Sequence, residues 1–310
     1  MSRYVLRRLL QAFGVLFLLT VIVFGIARLS GDPVDLMLPQ GAPPSQREQM
    51  IEDLGLDEPL PVQYWHFLTG AVQGDFGESI RFHAPAMELV LDRMPATIEL
   101  ALAAFFLAVV IGIPLGVAGA LKEGRPTDHV ITSVLTLGQA TPSFWLGILL
   151  ILFVGVRWEL LPISGRSGIE SLILPAITLC VIPLVAIARL TRSSLIGVLP
   201  EDYVRTARSK GLRSRTILGR HVLRNGLVPV VTIAGISVAE LLSGAVITEQ
   251  VFAWPGVGRL AIESIDARDY PVVQAVTLVT AVIVVGLSLL VDLTYFVLDP
   301  RVRTGGSEAS

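Results

Sequence analysis

The chain has 310 residues, 53% of them hydrophobic and 16% charged, with a mean hydropathy of +0.70 and a formal net charge of −2. A soluble chain of this length needs more charge to cover its surface, so lipid is the natural solvent for much of it, and the near-neutral balance removes any argument for nucleic acid. The single cysteine, Cys180, lies in an apolar run; it excludes an internal disulfide and reads as a small buried hydrophobe.

Arg3, Arg7 and Arg8 precede an apolar run over residues 9–27. The run is longer than a signal-peptide core and no A-x-A-like site follows, so residues 9–29 are expected to form an uncleaved first span. Polarity becomes ordinary after it. Residues 30–95 hold GDPVD, a proline-rich patch at 39–44, a helical-looking 45–54, and 60–76 with Tyr64, Trp65 and Phe67. A disordered tether carries fewer aromatics, so a small folded extracytoplasmic element packed on the membrane surface is expected.

Five further apolar stretches reach or approach spanning length: 97–121, 130–156, 172–188, 227–248 and 272–298. The fourth is short and broken by Pro175 and Pro183, which a span tolerates when neighbouring helices satisfy the freed backbone groups. Gly112 and Gly116 form a small-xxx-small packing pair in the second. In the third, Thr132, Thr136, Gln139 and Ser143 recur at i, i+4, i+7 and i+11.

An even span count puts both termini on one side. With that side cytoplasmic, residues 1–8, 121–129, 189–226 and 299–310 lie inside and hold 16 of the 24 Lys and Arg. The positive-inside bias therefore predicts N-in and C-in. The expected organisation is a first helix plus extracytoplasmic segment over 1–96, a five-helix core over 97–298, and a cytoplasmic tail over 299–310.

The cytoplasmic loop 189–226 is the most basic part of the chain. Pro200, Glu201 and Asp202 start a helix well, because proline suits the first turn and acids there complement the helix dipole. Arg205, Arg208 and Lys210 follow toward its C-terminal end, and Gly211 is a natural stop. Ser214 is expected to cap a second helix that runs through Arg224 and ends at Asn225-Gly226. Tyr203, Ala207 and Gly211 fall on one face at i, i+4 and i+8, and two of them are small enough for close backbone approach. Spacing alone leaves two readings open: a solvated loop obeying the positive-inside bias, or a rigid handle docked in another protein.

Beyond the loop, Ser237, Glu240 and Gly244 share a face of the fifth span with Ser243 beside it, and Thr277, Thr280, Ser288 and Asp292 approximate a stripe in the sixth. Polar stripes in spans commonly hold helices together. Glu240 stands apart, because an ionisable mid-span residue is costly and is by default a functional candidate. Asp292, nearer the cytoplasmic end, reads as half of an interfacial pair. Helix packing and a polar pathway lined by Thr136, Gln139, Ser143, Ser237 and Glu240 both stand at this point.

Catalytic signatures are missing. Neither Lys122 nor Lys210 follows a glycine, so there is no phosphate-binding loop. His66, His83, His129 and His221 have no metal-ligand spacing, and no G-x-S-x-G elbow occurs. No catalytic residue, cofactor or metal site is expected.

The segments DYVRTARSKGL (202–212) and RHVLRNGLVPVV (220–231) resemble the cytoplasmic coupling loop of binding-protein-dependent ABC importer permeases, most closely the B-type subunit of the dipeptide/oligopeptide/nickel family. Ordered matches continue along nearly the whole chain: Arg7-Arg8-Leu9, Gly31-Asp32-Pro33, Pro59-Leu60-Pro61-Val62-Gln63-Tyr64, Gly74-Asp75-Phe76-Gly77, Pro95-Ala96-Thr97-Ile98-Glu99-Leu100, Glu249, Val251-Phe252, Trp254-Pro255-Gly256-Val257-Gly258, Arg268-Asp269-Tyr270-Pro271 and Leu298-Asp299-Pro300-Arg301. Two positions depart from the general permease pattern. Arg205-Thr206-Ala207 stands where Glu-Ala-Ala is usual, which excludes an acidic contact from position 205, and Leu223-Arg224 replaces Leu-Pro.

The resemblance implies an all-α membrane protein of six helices with the type I ABC importer permease fold. It implies a heterodimer with a related C-type permease, two ATP-binding subunits, and an extracytoplasmic substrate-binding protein in a cytoplasmic (inner) membrane. Asp202, Tyr203, Arg205, Thr206, Ala207, Lys210 and Gly211 would form the ATPase-coupling helix. The solute would be a di- or oligopeptide; nickel chelates and glutathione-like compounds are the alternatives within the family. A stand-alone secondary transporter is the remote rival. It would have no need of the coupling loop, and no convincing inverted repeat occurs.

Overall fold

The structure, a computed structural model, describes residues 2–29, 43–53 and 55–298, with backbone alone at 2–4, 53, 244 and 292–298. The GDPVD segment, most of the proline-rich patch, the Asp292 side chain and the tail from 299 lie outside the described residues. The described residues are helical apart from their connections and one isolated bridge between Glu78 and Pro85. The helices are α1 (Ser2–Leu29), α2 (Pro44–Asp53), α3 (Leu60–Gln73), α4 (Ala86–Leu121), α5 (Pro126–Ala140), α6 (Ser143–Arg157), α7 (Ile169–Val198), α8 (Asp202–Ser209), α9 (Ser214–Gly226), α10 (Val228–Val251), α11 (Val257–Asp266) and α12 (Tyr270–Leu298).

Among the described residues four helices are long and apolar enough to cross a membrane: Val5–Leu29, Ala86–Leu121, Ile169–Val198 and Tyr270–Val291. The number rises to six if each of two bent pairs is one span, which matches the expected count. One pair is α5 with α6, bent by 100°; the other is α9 with the first part of α10, bent by 55°.

The sharp bend corrects the expectation of one continuous third span. Thr141 precedes Pro142, and proline disfavours helical backbone in the residue before it. Thr141 is accordingly extended, at φ −85 and ψ 120, and closes α5 with its N–H on the Gly138 carbonyl. The fourth expected span, now α7, differs in the other direction. It absorbs Pro175 and Pro183 and continues past Ala188 to Val198, so Arg189 and Arg192 sit on a helix and not in a loop.

Two compact units emerge. One comprises Met1–Thr97 and Pro255–Val285. Within it α3 packs on α1 through aromatics: the Phe24 ring lies 5.4 Å from Tyr64 and 5.7 Å from Phe67, and Thr20 Oγ1 shares a 2.8 Å hydrogen bond with the Tyr64 hydroxyl. A core of Ala86, Val90, Val257, Leu260, Val272 and Ala275 joins α4, α11 and α12. Two of the matched motifs acquire physical reasons here. Buried Asp269 accepts the Ser79 hydroxyl and the N–H groups of Ile80 and Arg81, and Thr97 Oγ1 accepts the Val257 N–H at 2.8 Å.

The other unit comprises Ile98–Trp254 and Gly286–Ser310. Here α7 packs against α5, α6, α9 and α10. Gly112 and Gly116 let α4 approach it closely. A Cβ on Gly116 would lie 2.5 Å from the Ala188 carbonyl oxygen, and one on Gly112 would lie 3.0 Å from that of Leu184. Cys180 is buried, as expected, with its thiol on the Ile177 carbonyl.

Candidate functional site

An eight-residue helix such as α8 is marginal on its own in water, so something must hold it. Its anchor is a hydrophobic face of Val204 and Ala207, 0% and 4% exposed. These pack with Ala120 of α4, Leu195 of α7, and Ile217 and Val222 of α9. The expected single face of Tyr203, Ala207 and Gly211 is thereby corrected. Ala207 points into its own chain at i+3 from Val204, while Asp202, Tyr203, Arg205, Thr206, Lys210 and Gly211 are exposed. The Asp202–Arg205 pair, at 3.5 Å and 97% and 68% exposed, contributes at most about 1 kcal/mol and leaves both side chains available.

The C-terminus of α8 is closed by two backbone hydrogen bonds. The Leu212 N–H reaches the Ala207 carbonyl at 3.3 Å and the Gly211 N–H reaches that of Arg208 at 3.0 Å. That pattern needs a left-handed residue, and Gly211 supplies it at φ +73. Ser214, in contrast, does not cap α9. Arg213 is the N-cap residue, with its carbonyl accepting the N–H groups of Thr216 and Ile217, and Ser214 is the first helical residue. Through residues 217–223 α9 widens into a π-helix. It is tied to α7 where Ser194 Oγ donates to the Gly226 carbonyl at 2.7 Å; a Cβ on Gly226 would meet Leu195 at 2.4 Å. Asn225 Nδ2 donates to the Tyr203 hydroxyl at 3.2 Å.

One level further along α7, Arg192 makes a two-point ion pair with Asp128 at the start of α5. Nε and Nη2 each lie 2.7 Å from a carboxylate oxygen, and the Gly124 N–H adds a third bond at 3.1 Å. Asp128 is buried. The base of α5 is thus fastened to the helix that also anchors α8. The two residues lie 64 apart in sequence, and no local pattern pairs them.

The polar residues proposed for a path are not one surface. Thr136 and Gln139 sit together on α5 and both accept from Arg189 of α7: Nη2 reaches Thr136 Oγ1 at 2.9 Å and Nη1 reaches Gln139 Oε1 at 2.6 Å. Ser143 opens α6, beyond the 100° bend, so it does not continue their helical stripe. Ser237 is 1% exposed and donates to the Ile233 carbonyl, whereas Glu240 on the same helix is exposed. Gly244 lies outside the described side chains. Thr277 donates to the carbonyl of Val273 in its own helix.

Comparison with known proteins places these features in context. Residues 112–304 match the family described as binding-protein-dependent transport system inner membrane component, and residues 1–101 match its N-terminal companion. The dipeptide transport system permease protein DppB of Escherichia coli (strain K12) is 39% identical over 336 residues, covering 98% of this chain and 99% of the relative. The glutathione transport system permease protein GsiC of Salmonella choleraesuis (strain SC-B67) is 39% identical over 308 residues, covering 98% and 99%. Among solved structures, an inward-facing MetNI methionine ABC transporter chain aligns at a TM-score of 0.56 with 18% identity, covering 69% of this chain and 97% of that one.

Proposed function

Because the chain belongs to the binding-protein-dependent transport system inner membrane component family, we propose that it is the B-type permease subunit of an ATP-driven importer of di- and oligopeptides, forming half of the translocation path. It is a multi-pass membrane protein and a transport subunit, not itself an enzyme, and it works with ATP-binding subunits and a substrate-binding protein. The finer assignments are a heterodimer with a C-type permease, two ATP-binding subunits, and N-in, C-in insertion in the cytoplasmic membrane. The concentration of Arg and Lys between α7 and α10 supports that orientation.

The observation that carries the mechanism is the split character of α8. Its apolar face is locked into α4, α7 and α9, and its polar face is exposed. A force applied to the exposed face by an ATP-binding subunit passes into α7. From there the Asp128–Arg192 pair carries it to α5, which holds Thr136 and Gln139. Closure of the ATP-binding pair would rock these helices and open the path alternately to either side. Asp202, Tyr203, Arg205, Thr206, Lys210 and Gly211 form the docking surface, and Ala207 holds it in place. Thr136, Gln139, Ser143 and Glu240 remain the path candidates, whereas Ser237 is buried against its own chain.

The 39% identity to a glutathione permease favours a second reading, in which the cargo is a glutathione-like γ-linked peptide. Competition in proteoliposomes containing the assembled importer decides between them. Labelled dipeptide uptake that unlabelled di- and oligopeptides suppress, and excess glutathione does not, supports the first reading. Uptake of labelled glutathione without uptake of labelled dipeptide replaces it with the second, and ATP hydrolysis by this chain without partners would sink both.

A further inference from the structure

We propose that Arg189 is the cargo's carboxylate anchor in the translocation path, held in a receptive geometry by Thr136 and Gln139; this rests on the peptide-importer reading. Arg189 lies about 30 Å from the start of α7 at 1.5 Å per residue, near the inner edge of a hydrocarbon core about 30 Å thick. An arginine at such a boundary normally snorkels toward the nearer headgroups, here the C-terminal direction of α7. This one extends the opposite way. Gly138 is level with Val181 and Val185, since a Cβ there would lie 3.3 and 3.6 Å from their methyl groups. Leu135 packs on Val185 and Ala188. Thr136, whose short side chain receives Nη2, therefore lies about one turn toward the N-terminal end of α7 from Arg189, away from the cytoplasmic side in the N-in reading.

Both acceptors are neutral. Among the described residues no carboxylate pairs with Arg189, whereas Arg192, less than one turn away, has its charge matched by Asp128 at two points. The two observed bonds fix the guanidinium plane and leave three of its five donors unspent. The side chain is exposed. An oriented, uncompensated guanidinium fork matches a carboxylate held by two parallel bonds. A peptide carries one such group at its C-terminus. Neutral partners suit transport better than a resident carboxylate would, because an arriving anion then displaces no ion pair and can leave again.

The test uses the assembled importer with its binding protein in proteoliposomes. The cargoes are a dipeptide and its C-terminal amide, each at a concentration that saturates the binding protein. Arg189→Gln is expected to lower free-dipeptide uptake about ten- to a hundredfold and leave amide uptake within about twofold, with binding-protein-stimulated ATP hydrolysis retained. Arg189→Lys keeps the charge without the fork and should recover part of the free-dipeptide uptake. Equal loss for both cargoes would make Arg189 a structural residue or one paired with another subunit. Unchanged uptake of both would make it a bystander. Either result overturns the proposal while the importer reading survives; an unsubstituted complex that imports neither cargo overturns both.

Discussion

Gly211 offers the sharpest perturbation of the handle. Its backbone is left-handed, at φ +73, and a Cβ built on it would find no heavy atom of its own chain within 4 Å. The intrachain cost of Gly211→Ala is therefore backbone strain alone, about 1–2 kcal/mol, and more for a β-branched residue. That strain loosens the two closing bonds at the end of α8 without touching Val204 or Ala207, so the chain should insert and pair with the proposed C-type partner normally. In the full complex, Gly211→Val adds three side-chain carbons at the exposed end of the docking surface. Loss of ATP-binding subunits on co-purification, with loss of uptake, is the expected result. Gly211→Asn separates the two causes, because asparagine tolerates the left-handed region and yet has bulk. If strain dominates, Asn restores docking; if close approach dominates, Asn fails as Val does. Co-purification and uptake indistinguishable from the unmodified complex for all three variants would refute the reasoning and return residues 202–211 to a solvated connector.

Asp128→Asn should destabilise the complex, because it removes the carboxylate that holds Arg192 at two points. A double-mutant cycle with Arg192→Gln, read by thermal unfolding, should show strong coupling, and additive effects would remove the link from α7 to α5. Glu240→Gln should impair uptake with assembly intact if the exposed carboxylate faces the path, and unchanged uptake across pH 5–8 would leave it a packing residue. In a Cys180→Ala background, cysteines at Gln73 and Asp266 should react with an impermeant thiol reagent in intact cells, and cysteines at Arg125 and Arg213 only after permeabilisation. The reverse pattern inverts the N-in, C-in orientation. Ser264 would be a poor choice for this experiment, since it is fully buried.

The parts of the molecule that local pattern determines were legible in the sequence. Helix α8 starts after Glu201 and stops at Gly211 because dipole complementarity and left-handed backbone are properties of those residues themselves. The Gly112/Gly116 pair likewise announces a close crossing, and only its partner, α7, awaited the fold. What failed did so for identifiable reasons. The apolar run over 130–156 hides a break whose signal, Thr141-Pro142, is two residues long and is outweighed in any wide hydropathy window. Spacing groups Ala207 with Tyr203 and Gly211, but on an eight-residue helix an i+4 face and an i+3 face differ by little, and tertiary packing with Leu195 and Ile217 decides between them. Asp128, Arg189 and Arg192 were invisible because their partners are 50 to 64 residues away. Helical periodicity relates only neighbours, and these contacts arise from the antiparallel packing of α5 on α7.

On the proposed docking, the exposed face of α8, and not its buried face, meets an ATP-binding subunit. Site-specific cysteine crosslinking in the assembled importer distinguishes the two faces. With Cys180 replaced, Arg205→Cys and Lys210→Cys should crosslink to an ATP-binding subunit, with a yield that changes when ATP is added. Ala207→Cys, facing Leu195 and Ile217 in its own chain, should give none. An assembled, transport-competent complex in which neither Arg205→Cys nor Lys210→Cys crosslinks, or in which only Ala207→Cys does, would contradict the account.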